Sequence, residues 1–270
     1  MVELEKKYKI GVRRFGLINW IGVYSYFKRE VSRFLIVAGQ TLFGPILTSI
    51  LFLTVITLAI GDERNNVLGV PFVEFLASGL IMMQVIQQSF SHSSSSLIMG
   101  KMMGTITDII GSPLSAAEIT LALSFASIAR GFCIALVTTI IFIIFLDLNI
   151  QNYFLWFVYL FLGGFFLGSA GIIAGLYADK FDQMATLTNF IIVPLSFLSG
   201  TFYSIEKLPN VLKSISYYNP FFHMIDGFRY SFIGQSDGSI KFGIIFLLII
   251  SLTTWYISFL LYRKGYKIKS

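Results

Sequence analysis

Apolar residues recur along this chain in long blocks rather than in the short alternations of a water-soluble fold. A helix needs about 20 apolar residues to cross the hydrocarbon core of a bilayer. Six blocks reach that length: 34–60, 72–94, 113–146, 153–178, 184–202 and 240–262. The third is longer than a bilayer requires, and Pro194 and Gly200 interrupt the fifth. The pattern predicts an all-α integral membrane protein with six transmembrane helices. An even number of crossings returns the chain to the side on which it began.

Four stretches depart from plain lipid-spanning helix. Asn19 is an N-cap candidate for a helix on which Trp20, Tyr24, Phe27, Val31 and Phe34 step by three or four along one face, with Lys28, Arg29, Ser32 and Arg33 elsewhere. This reads as an amphipathic helix lying at the membrane interface, held by aromatic burial and by anionic lipid. The alternative is an extension of the first span into water. In the loop 97–115, Met99, Met102, Met103, Ile106, Ile109 and Ile110 recur at helical spacing around Lys101, Thr105 and Asp108, and Pro113 ends the pattern. Such a face docks a partner, for which Met is well suited, or it tucks under its own bundle.

In the second block, Gln84, Gln87, Gln88, Ser91 and Ser95 form a stripe. Amides in hydrocarbon need partners, so the stripe faces the bundle interior, a subunit interface or a wet path. In the fourth block, Gly164, Gly168, Gly171 and Gly175 make a small-residue ridge suited to close helix packing. The segment 203–236 is punctuated by Pro209 and Pro220, yet Phe221, Phe222, Met224, Ile225 and Phe228 are too apolar for a solvated loop. It is expected to dip back into the membrane as a broken, re-entrant pair of helices, with Gly200, Asn219, Asp226 and Arg229 at its irregular points.

Composition agrees with the blocks. Hydrophobic residues make up 56% of the 270 and charged residues 13%, against about 25% charged in a soluble domain. Mean hydropathy is +0.78. Cys133 is the single cysteine, which excludes an intrachain disulfide scaffold. The net charge of +6 does not indicate nucleic acid, because its carriers crowd the two ends. Lys6, Lys7, Lys9, Arg13, Arg14, Lys28, Arg29 and Arg33 precede the first block, and Arg263, Lys264, Lys267 and Lys269 close the chain. The positive-inside rule then puts both termini in the cytoplasm. Loops bearing Asp62, Glu63, Arg64 and Asp147 fall outside, and those around Lys101 and Lys180 inside. Lys207, Lys213 and Arg229 in the external segment conflict mildly with this orientation. No cleavable signal peptide is recognisable, so the first block is expected to remain as an anchor.

Catalytic chemistry is sparse. His92 and His223 have no metal-ligand spacing partners, so neither a metal site nor a catalytic residue is assigned. No G-x-x-x-x-G-K-[ST] string occurs, so the chain carries no recognisable P-loop. Glu74 and Glu118 lie near block ends, which disfavours a passive channel or an ion-coupled carrier, as the lack of a convergent acid–base set disfavours a membrane transferase. Arg130 is the one charge deep inside a block, either a functional group or a structural anchor.

The strings GLIMMQVI (79–86), SPLSAAEI (112–119), and PLSFLSGTFYSIEKLP followed by NPFFHMIDGFRY (194–230) carry a family resemblance. The chain resembles the ABC-2 type permeases of bacterial ATP-binding-cassette exporters, particularly small inner-membrane permeases of the drug and lipid-export branch. The resemblance implies a cytoplasmic tail and interface helix over 1–33, a six-helix domain over 34–262 and a basic tail over 263–270. It implies a coupling loop at about 97–115, in which Lys101, Met102, Met103, Ile106, Asp108, Ile109 and Pro113 meet a separate cytoplasmic ATPase. Two ATPase copies would serve a homodimer, and would bind the ATP and Mg that this chain does not. A drug-like, lipid or lipid-linked substrate would leave across the inner membrane. The polysaccharide- and glycolipid-exporting permeases share the layout and stand as the alternative. Gln84, Gln87, Gln88, Ser91 and Arg130 are then candidates for the translocation path.

Overall fold

The computed structural model describes residues 18–60, 66–146 and 148–267. The expected charges at Lys6 to Arg14, Asp62, Glu63, Arg64, Asp147 and Lys269 lie outside these residues. Among the described residues every long element is helical, and the only extended pairing is an isolated bridge between Val67 and Val70. In chain order the helices are α1 (Trp20–Ile36), α2 (Gly44–Ile60), α3 (Phe72–Met102), α4 (Ile106–Gly111), α5 (Ala116–Leu146), α6 (Tyr153–Tyr177), α7 (Phe181–Thr201), α8 (Asn210–Tyr217), α9 (Pro220–Ile233) and α10 (Ile240–Arg263).

Among the described residues five helices are long and apolar enough to cross a membrane: Gly39–Ala59, α5, α6, α7 and α10. The block 72–94, expected as the second span, forms part of α3, a helix of 31 residues whose amides and serines keep it outside that set. The reason is its position. α3 is wrapped by α5, α6 and α9, so it has little surface that lipid must accept. The apolar demand falls on peripheral helices such as α10, whose most apolar stretch is 17% buried, against 72% for α6.

The glycine ridge of α6 sets how closely its neighbours approach. A Cβ on Gly171 would lie 2.4 Å from the carbonyl oxygen of Phe90, and one on Gly175 would lie 3.0 Å from Ser94 Cα, so α3 rests against bare backbone. Gly164 and Gly168 face the other way, towards Ile128 and Ser127 of α5. One ridge thus receives two helices.

Helix boundaries follow local chemistry. Asn19 caps α1, its Oδ1 accepting from Gly22 N–H at 3.0 Å. α1 ends near Val37, and a π-turn over Gly39–Phe43 leads into α2. The interface helix and the first span are therefore separate elements. The face of α1 packed on the bundle is Tyr26, Glu30 and Phe34, while Trp20 (70% exposed) and Tyr24 (64%) point outwards. The aromatic stripe expected to be one face is divided, because Phe34 alone of its members turns fully into the bundle. α7 contains two π-turns, Thr188–Ile192 and Phe197–Thr201, and breaks at Gly200, whose φ of 81° suits glycine.

Candidate functional site

The two ends of α6 separate two candidate regions by about 37 Å, at 1.5 Å rise per residue over its 25 residues. Its C-terminal end meets the loop 97–115. Lys101 does not project from this loop. Its Nζ donates to the carbonyls of Leu176 (2.6 Å) and Ala178 (3.1 Å), capping α6, and lies 3.7 Å from Asp179. Burial lowers the Lys101 pKa, and the Asp179 carboxylate opposes that shift.

The apolar stretch of this loop is split rather than continuous. α3 ends at Met102, Gly104 turns the chain with φ 72°, and α4 begins at Ile106. Ile106 and Ile109 are buried with Tyr26, Leu97, Ile172, Leu176 and Tyr262, so they belong to the bundle rather than to a docking face. Met102 (62% exposed), Met103 (68%) and Ile110 (42%) remain outside, beside exposed Asp108. Turn geometry explains the difference from the sequence expectation: the break at 103–105 rotates the two halves of the pattern apart.

Pro113 ends α4's loop, and its carbonyl accepts from Asn19 Nδ2 at 3.0 Å. Next to it is a clasp that sequence reasoning missed. Glu118 Oε2 accepts the Ser115 N–H and Oε1 accepts the Asn19 N–H, both at 2.6 Å. The Glu118 N–H returns to Ser115 Oγ at 3.3 Å. Ser115 and Glu118 form a capping box for α5. The same carboxylate also holds the start of α1, so loop, interface helix and α5 share one fastening point. The box was readable as S-x-x-E within SPLSAAEI; its reach to Asn19 was not.

Of the polar stripe of α3, Gln88 meets α5. Gln84 is buried, and Gln87, Gln88 and Ser91 are half-buried. Midway along α5, Arg130 (6% exposed) donates through Nη2 to Gln88 Oε1 and, at 3.4 Å, to the Thr41 carbonyl. One turn further along α3, His92 meets α1. Arg33 Nη2 donates to the His92 carbonyl at 3.1 Å. Glu30, fully buried, accepts from Arg33 Nε at 3.0 Å and Ser96 Oγ at 2.8 Å. The sequence placed Glu30 within a charged run and gave no sign of this burial, since its partner Ser96 lies in another helix.

At the other end of α6, α9 is almost wholly buried among α3, α6 and α10. Pro220 opens it at the first turn, and Asn219 caps it by accepting from Phe221 N–H, while Asn219 Nδ2 donates to Ser199 Oγ at 2.8 Å. Pro209 precedes α8, whose Val211, Leu212 and Ile215 are exposed. Arg229 is not a loop cation, as the orientation argument had it, but is 1% exposed. Its Nε donates to the Phe75 carbonyl (3.3 Å) and its Nη2 to those of Gly200 (2.7 Å) and Thr201 (3.4 Å), with the guanidinium 3.7 Å from the Phe75 ring centre. It thereby caps the break in α7, and of the three cations in the charge conflict only Lys207 and Lys213 remain as charges of the segment 203–236. Asp226 accepts the N–H groups of Asp237 and Gly238, both at 2.9 Å, and closes the turn before α10.

A family model described as ABC-2 type transporter matches residues 22–233. The inner membrane transport permease YadH of Escherichia coli K12 is 28% identical over 236 residues, covering 87% of this chain and 92% of that protein. Nodulation protein J of Neorhizobium galegae is 24% identical over 261 residues, covering 92% of this chain and 94% of that protein. Nodulation protein J of Rhizobium leguminosarum bv. viciae is 22% identical over 262 residues, covering 92% and 95%.

Proposed function

The chain belongs to the ABC-2 type transporter family, and from that premise we propose that it is the membrane half of an ATP-driven exporter of the bacterial inner membrane. In this reading α3 also spans the membrane and brings the crossings to six, both termini are cytoplasmic, and two copies pair with two copies of a separate ATPase that binds ATP and Mg. A drug-like, lipid or lipid-linked substrate moves outwards, and α8 and α9 form a re-entrant pair at the outer face.

The observation that carries the reading is the exposed apolar tip of the loop 97–115. Met102, Met103 and Ile110 project where α3, α4 and the end of α6 converge. Three bare apolar side chains beside a cap on the central helix are suited to receive a pushing partner. A displacement there would reach α5 and α1 through Glu118, moving helices as rigid bodies.

The test is co-purification. Met103→Glu places a charge on the tip without touching the core, so it should release the ATPase while the permease still inserts. Ile106→Glu is unsuited, because it would charge the bundle interior. Undiminished ATPase binding by Met103→Glu together with Met102→Glu would overturn the docking assignment.

A further inference from the structure

Where α1 lies against α3, the Glu30 carboxylate is used unevenly. Its Oε2 accepts from Arg33 Nε at 3.0 Å and from Ser96 Oγ at 2.8 Å. Its Oε1 is equally shut off from solvent, and among the described residues it meets no donor. A carboxylate oxygen left bare inside a protein is costly, because burial has stripped the water that bonded it.

Two donors beside it are also unused. His92 is fully buried, and its Nδ1 lies 3.5 Å from Arg33 Nη2. A guanidinium only donates, so Nδ1 accepts and the ring proton belongs on Nε2. Nε2 is 3.7 Å from Glu30 Oε2, too far for a hydrogen bond, and has no other partner among the described residues. Tyr26 sits one helical turn before Glu30 on the buried face of α1, and among the described residues its hydroxyl has no partner either. Burial, and after it the Glu30 carboxylate, raise the Tyr26 pKa, so the phenol keeps its proton and stays a donor. Tyr262 of α10 packs in the same apolar cluster as Tyr26 and borders an open groove of about 330 Å³, so solvent reaches the edge of that cluster.

The three idle groups select their ligand by chemistry. With Arg33 already opposite Glu30, two idle donors turn away a cation, and the carboxylate turns away an anion. What fits is a small neutral molecule that accepts twice and donates at least once. Buried water is such a molecule, and makes about three hydrogen bonds at a typical site.

We propose that Tyr26, Glu30 and His92 enclose a bound water joining α1 to α3, its oxygen accepting from the phenol and the imidazole while it donates to Glu30 Oε1. Such a bridge holds two helices without fixing their spacing to the length of one direct bond. The interface helix is thus fastened in two ways, directly by Glu118 at its start and through water at Glu30.

The experiment is radiolytic hydroxyl labelling of the purified full chain, read by mass spectrometry, in which water held against a side chain becomes the radical that modifies it. His223 is the matched control, because its Nε2 meets the Tyr217 carbonyl directly at 2.8 Å. His92 should be modified several-fold faster than His223, although it is the less exposed of the two, 0% against 3%. A rate no higher than that of His223 would show a dry seam and overturn the proposal. Tyr26→Phe gives a second reading, by hydrogen exchange. Losing a hydroxyl that water bonds should speed exchange of the α1 amides about fivefold, the equivalent of one hydrogen bond. Losing an idle hydroxyl would leave that exchange unchanged or slower, and this too would overturn the proposal. Neither measurement involves the ATPase, so the outcome is independent of the docking assignment.

Discussion

Replacing Glu118 by Ala should loosen the interface helix while leaving the bundle assembled. The carboxylate holds the Asn19 N–H at 2.6 Å, and this bond ties the start of α1 to α5. A hydrogen bond to an ionised group contributes about 1.5–3 kcal/mol, which corresponds to roughly a ten- to hundredfold change in a local opening equilibrium. Hydrogen exchange measured by mass spectrometry reads that opening directly, because amides protected by a docked helix exchange only when it lifts. Amides in the first two turns of α1 should therefore exchange roughly ten- to a hundredfold faster in Glu118→Ala. Those of α6, which Glu118 does not touch, should be unchanged. Ser115→Ala gives the contrast, since it removes only the 3.3 Å return bond within the capping box. Unchanged exchange of α1 in folded Glu118→Ala would show that Tyr26 and Phe34 hold the helix unaided, and the shared-fastening argument would fail.

Gly171→Ala should lower the thermal unfolding midpoint in detergent, because its Cβ meets the backbone of α3 and overpacking costs about 1–3 kcal/mol. Gly39→Ala, with open space around it, should move the midpoint far less. Arg229→Met would leave the carbonyls of Phe75 and Gly200 without their donor, and should destabilise by about 3 kcal/mol, scored as the loss of folded protein on detergent size exclusion. A cysteine at Ile215, in a background lacking Cys133, should react slowly with a membrane-impermeant maleimide if α8 lies in lipid, and a cysteine at Asn66 should react fast. Equal rates at both positions would make α8 an ordinary water-facing helix. Phe228, fully buried in the core, cannot serve as the test position.

What the sequence made legible was whatever depends on near neighbours. Asn19 as a cap, Pro113 as a stop and the ridge Gly164 to Gly175 are all readable from spacing, because capping and small-residue packing are local or periodic. The boundaries of α5, α6 and α10 fall within a few residues of the blocks expected. Reading failed where distant segments decide. Glu30 sits in a run of charges, but Ser96 on another helix meets it inside the bundle. Arg229 reads as a loop charge until carbonyls from two other segments surround it. The Met and Ile pattern of 97–115 has helical spacing throughout, and only the turn at Gly104 separates its exposed part from its buried part.

The burial of α3 also bears on how the chain is made. In the six-span reading this helix leaves the ribosome carrying three glutamines and a run of serines, before most of what will surround it exists. The surfaces that receive Phe90, Ser93 and Ser94 are Gly171 and Gly175, synthesised long afterwards. Of the helices made after it, α5 is the first to reach it, and it brings Ser127 and Arg130 to meet Ser93 and Gln88. Biogenesis therefore favours insertion of α3 and α5 as a hairpin, with the pair held together by polar contacts while α6 is translated. A change that weakens Gln88 or Ser127 should consequently show first as poor membrane integration of newly made chains, before any defect appears in chains already folded.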